Sequence, residues 1–77
     1  MPFEAIENTI GEFVRERRKA SRMTQRELAE LAGVGTRFVS ELERGKSTVR
    51  VSEVNQVLKV FGRSLGMVEL AKSEHEP

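Results

Sequence analysis

Cysteine, tryptophan and tyrosine are missing from this chain of 77 residues, which has only two Pro, four Phe and one His. Without thiols there is no disulfide framework, no cysteine nucleophile and no zinc ribbon. The lone histidine, His75, lies in a polar tail, so the sequence lacks the convergent titratable groups that catalysis requires. The Met residues have no metal-site spacing, and no cofactor is expected. No apolar run approaches the roughly 18 residues of a membrane span, and no secretory signal opens the chain. The cytoplasm is therefore the expected location. This length excludes a barrel or a doubly wound sheet with a cofactor crevice and leaves one small domain. Neither an enzyme nor a membrane protein is expected.

Apolar residues make up 38% of the chain, enough for one compact core. A chain this short and without covalent staples depends on well-formed helices, on a second copy, or on both. The net charge of +1 conceals a sorted distribution. Residues 15–50 hold ten bases against five acids, a net of +5, whereas residues 1–14 carry −3 and residues 51–77 carry −1. A basic middle is a modest pointer to a polyanionic partner.

The punctuation predicts four helices. Thr9 and Glu12 fit a capping box, in which a hydroxyl and a carboxylate three residues on satisfy each other's backbone N–H. The first helix is accordingly expected over about residues 9–21, with Ile10, Phe13 and Val14 inward and a basic last turn. Thr24 and Glu27 form a second capping box, opening a short helix with Leu28 and Leu31 inward and small Ala29 and Ala32. Gly33 stops it. A third helix starts near Thr36, points Val39 and Leu42 inward, and ends at Gly45. Residues 46–50 read as a loop, after which Ser52 can cap a fourth helix carrying Val54, Val57, Leu58 and Phe61 and closed by Gly62. Residues 65–70 are too short for a helix with a core face, and their composition favours a strand, with Val68 and Leu70 on one face and Met67 on the other. A lone strand needs a partner, and the simplest is the same strand of a second molecule. The division expected is a helical domain over residues 1–62, a dimerising strand over 63–70 and a flexible tail over 71–77.

Residues 24–44 hold the central signal: two short helices joined by a tight turn. Ala29 lets the helices approach, and Gly33 permits a left-handed backbone. Val34, Val39 and Leu42 fasten the second helix from behind, so that its other face projects outward. This is a helix-turn-helix, whose second helix fits the major groove of DNA. The run from Thr24 through Gln25, Arg26, Glu27, Leu28, Ala29, Glu30, Leu31, Ala32 and Gly33 to Val34, followed by Leu42, Glu43, Arg44, Gly45 and Lys46, resembles the phage-repressor or XRE family. The resemblance covers about residues 10–62 and implies an all-α, four-helix, lambda-repressor-like domain. The spelling at residues 14–19 and 37–46, with the C-terminal strand, is similar to HipB-type antitoxins. That branch implies a short C-terminal β-strand pairing across a homodimer, a palindromic operator in the protein's own promoter, and a HipA-like kinase toxin as partner.

The resemblance places Gln25, the first residue of the second helix, against the phosphate backbone, where a helix N-terminus favours an anion. Thr36, Arg37, Ser40 and Glu41 fall on the outward face of the third helix. The planar fork of Arg37 can pair with both acceptors of guanine, or else contact phosphate without specifying sequence. Thr36 has two readings, a DNA contact or a cap, and small Ser40 allows close approach or one hydrogen bond. Glu41 is awkward near phosphates unless it accepts from cytosine or pairs with an Arg. Arg44, Lys46 and Arg50 follow the third helix, where the family's loop lies along the backbone; Arg22 is a weaker candidate. The resemblance makes Arg18 and Glu43 a structural salt bridge that sets the angle of the reading helix. Phe38 could meet a thymine methyl, but packing is the safer reading. Met67, Val68 and Leu70 are the dimerisation candidates.

Other roles stay open: a free-standing XRE-type regulator, a restriction-modification controller, or a helix-turn-helix that binds protein and has no DNA affinity. A steep loss of binding with added salt separates the DNA readings from the last.

Overall fold

The computed structural model describes residues 3–46 and 48–66, with the backbone alone for residues 3–9. Four helices follow one another: α1 (Phe3–Ala20), α2 (Gln25–Ala32), α3 (Thr36–Glu43) and α4 (Val51–Val60). No strand occurs among the described residues, and residues 63–66 have no regular structure. The expected strand's remaining part, with Met67, Val68 and Leu70, lies outside the described residues, as does the tail over 71–77.

Helix α1 starts well before Thr9, so this threonine is inside the helix and does not cap it. A capping hydroxyl needs an extended backbone at its own residue, and residues 3–8 are already helical. Gly11, between Thr9 and Glu12 of that box in sequence, permits close contact between helices. A Cβ there would overlap the backbone carbonyl oxygen of Leu42, so α1 crosses the end of α3 at a distance only glycine allows. After Ala20 the chain turns through Arg22 in the left-handed region, φ 57°.

Helix α2 opens as its sequence dictates. Thr24 Oγ1 accepts from the Glu27 amide at 3.0 Å, and Glu27 Oε1 accepts from the Thr24 amide at 2.8 Å. Its inward stripe is Leu28, Ala29 and Ala32. Leu31, expected inside, is 66% exposed. The successive angles of an α-helix place residues 28, 29 and 32 together and swing residue 31 off that stripe.

Gly33 adopts φ 75°, and both it and Val34 donate to the Ala29 carbonyl, at 2.9 and 3.0 Å. Gly35 is the N-cap of α3 and no side chain caps it, so Thr36 is the first helical residue and not the cap. Helix α4 likewise begins at Val51 after an uncapped Arg50; Ser52 is already helical and cannot serve as the expected cap.

The buried core draws on every helix: Val14 from α1; Leu28, Ala29 and Ala32 from α2; Val39 and Leu42 from α3; Val54, Val57 and Leu58 from α4. Ile10, Phe13, Met23, Val34, Phe38 and Phe61 pack half-buried around it. Phe13 and Phe61 meet edge to face, 6.4 Å between centroids at 84°, a favoured aromatic geometry. Gln56 Nε2 donates to the Ala32 carbonyl at 3.3 Å, tying α4 to the end of α2. Among the described residues no helix is long and apolar enough to cross a membrane.

Candidate nucleic-acid interface

The third helix is held from behind and exposed in front. Val39 and Leu42, three residues apart, point into the core, and burying each such side chain stabilises the fold by about 1.5–3 kcal/mol. The opposite face carries Thr36, Arg37, Ser40 and Glu41, continued by Arg44. Thr36, Arg37 and Arg44 are exposed, whereas Ser40 and Glu41 are half-buried. Phe38 packs against the core from the side. Lys46 and Arg50 are exposed in the segment that follows. The structure thus brings Arg37, Ser40, Arg44 and Lys46 onto α3 or directly after it.

A polar hub holds that helix in place. Arg18 Nε and Nη2 donate to the two oxygens of Glu43 at 2.7 and 3.0 Å, a bidentate pair. Arg18 Nη1 also donates to the Met23 carbonyl at 2.8 Å, and Gln25 Nε2 donates to Glu43 Oε1 at 3.1 Å. The end of α1, the start of α2 and the end of α3 therefore meet at one carboxylate. The paired side chains are only 12% and 4% exposed, so each charge depends on the other. The Glu43 hydrogen bond raises the Arg18 pKa further above its already high ordinary value, although burial opposes this. Burial pushes the Glu43 carboxyl up, but the hydrogen bonds from Arg18 and Gln25 outweigh it and hold the group below the usual carboxylate range. Gln25, expected at the phosphate backbone, thus has one of its amide hydrogens committed inside the protein.

A second carboxylate organises the exposed face. Glu41 Oε2 accepts from Arg37 Nε at 3.2 Å and from Lys46 Nζ at 3.3 Å. The hydrogen bonds from Lys46 and then Arg37 lower its pKa. Pairing of Glu41 with an arginine was one of the two alternatives the sequence left open, and the structure shows that arginine to be Arg37, at a permitted i,i+4 spacing. Lys46 reaches the same oxygen because the chain turns back after α3, and this partner was not legible. Gly11 was the other miss, since nothing local announces which helix crosses it.

Among the described residues, no group of three or more His, Asp or Glu side chains could hold a metal ion. What the arrangement offers is an exposed helix with a cationic side chain at its front, more cations beside it, and an ion-paired anchor behind. Residues 14–68 match the helix-turn-helix family. The chain is also similar to a protein named as an uncharacterized HTH-type transcriptional regulator, y4mF, of Sinorhizobium fredii. The two are 46% identical over 59 residues, covering 77% of this chain and 78% of that protein. This chain belongs to the helix-turn-helix family.

Proposed function

We propose that this protein is a sequence-specific, DNA-binding transcriptional repressor acting as a homodimer. The observation that carries this reading is the outward face of α3, where the Arg37 side chain is 89% exposed and cations follow in sequence. The regulator name carried by the similar protein supports it. In this reading Arg37 reads base edges, with Thr36 and Ser40 close to the groove floor. Gln25, Arg44, Lys46 and Arg50 contact phosphates, while Arg18 and Glu43 fix the angle of the reading helix. Two copies present their α3 helices about 34 Å apart, one turn of DNA, to a palindrome. Met67, Val68 and Leu70 supply the dimer contact.

The test is a salt-titrated binding assay of the full chain on the DNA upstream of its own reading frame, beside an unrelated duplex. Tighter binding to the former, falling steeply with salt, is expected. Equal or absent binding to both overturns the reading.

A finer role, the antitoxin of a HipBA-like pair that regulates its own operon, rests on the spelling at residues 14–19 and 37–46. It requires a kinase-like protein encoded beside this one and co-purifying with it. Without such a neighbour, a free-standing regulator remains.

A further inference from the structure

We propose that Glu41 is a positioning residue for sequence discrimination: it orients the Arg37 guanidinium and couples it to Lys46 without itself touching DNA. This rests on the DNA-binding reading above. The side chains of the three residues differ sharply in exposure, at 89% for Arg37, 47% for Lys46 and 16% for Glu41. The carboxylate is therefore the sheltered end of the cluster, and Arg37 is the projecting end.

The atom that makes the pair matters. Arg37 uses Nε toward Glu41, which leaves its two terminal Nη groups pointing along the free edge of the fork. That edge offers the two parallel donors that the N7 and O6 of guanine require. A guanidinium already held in plane loses less rotamer freedom on docking than one that is unpinned. The same Oε2 accepts from Lys46, so one carboxylate ties the base-reading helix to the cation that follows it.

The acid is paired with Arg37 and Lys46 before DNA arrives, and its negative charge weakens the attraction to phosphates on every duplex alike. Removing the charge should therefore raise affinity for unrelated DNA, while the loss of the Arg37 pin lowers discrimination, two effects of opposite sign.

The experiment selects duplexes from a randomised library with the wild-type protein, Glu41→Gln, Arg37→Ala and the double variant. Each is also titrated against one unrelated duplex at several salt concentrations. Arg37→Ala is expected to lose about fivefold or more of the preference at particular base pairs. Glu41→Gln is expected to lose part of the preference at those same pairs and to bind the unrelated duplex more tightly. In the Arg37→Ala background, Glu41→Gln should change the preference no further. Thermal midpoints should stay together, which a merely structural role for Glu41 would not allow. Full discrimination by Glu41→Gln, or an equal loss in the Arg37→Ala background, overturns the proposal. If wild type enriches no sequence and binds no duplex, the DNA-binding reading itself fails.

Discussion

The Glu43 carboxylate accepts from Arg18 and Gln25 where little water reaches, so its protonation is felt by three helices at once. Its folded-state pKa lies below the ordinary value. The stability it contributes is therefore complete above the unfolded-state pKa and is lost as pH falls through the lower, folded one. Arg18, raised rather than lowered, stays charged throughout this range. Urea midpoints measured from pH 6 down to pH 2.5 should decline below about pH 4.3. Glu43→Gln should be less stable at pH 6, by about 1–3 kcal/mol for a part-buried hydrogen-bonded charge left without its partner, and its decline in acid should be shallower. Parallel pH curves for the two proteins would refute the assignment. Gly11 gives a second single-residue expectation with competing signs. Helix propensity favours Gly11→Ala by up to about 1 kcal/mol, but the new methyl overlaps a backbone carbonyl of α3 that cannot rotate away. A net loss of about 1–3 kcal/mol in urea denaturation is expected, and a gain would show that α1 does not cross there.

Helices α2 and α3 illustrate how far local pattern reaches. The capping box at Thr24 and the stop at Gly33 were legible because each is completed by atoms within a few residues. The inward stripe was legible only in part. Leu28 and Leu31 look equivalent as apolar residues three apart, yet Leu28 is fully buried and Leu31 is not. The choice depends on where α3 and α4 sit against α2, which the spacing of leucines alone does not contain. Leu28→Ala is expected to cost about 2–5 kcal/mol, whereas Leu31→Ala should stay within about 0.5 kcal/mol. Chemical denaturation of both variants checks the difference, and equal costs would return Leu31 to the core. The caps expected from Thr9 and Ser52, and the capping alternative for Thr36, failed for one reason: a hydroxyl near a helix start caps only if its own residue stays extended, and these three are helical. Residues 3–8, Gly35 and Arg50 occupy the places those readings left to the coil.

For the molecule as a whole, the basic middle of the sequence becomes a surface only because α3 is seated on α1 and α2. The exposed cations Arg37, Arg44, Lys46 and Arg50 then lie on or just beyond one helix. On the proposed reading, Lys46→Ala should weaken binding to all duplexes alike and reduce the salt slope by about one. An effect confined to particular base pairs would move Lys46 from the phosphate to the bases. On the same reading, which makes the protein a homodimer joined through Met67, Val68 and Leu70, deleting residues 67–77 should leave the four helices folded by circular dichroism while raising the dimer dissociation constant in sedimentation experiments. A dimer unchanged by the deletion, or no dimer in the full chain, would overturn that assignment. The sequence by itself determined the capped second helix, the glycine turn and the charge-bearing third helix, because those features are set by backbone propensity and by contacts within a turn of chain. Only the tertiary structure decided that Gly11 is a crossing point, that Leu31 faces outward, and that Arg37 and Lys46 share a single oxygen of Glu41. Such pairings follow from how helices distant in sequence pack around the core, and no local periodicity encodes that packing.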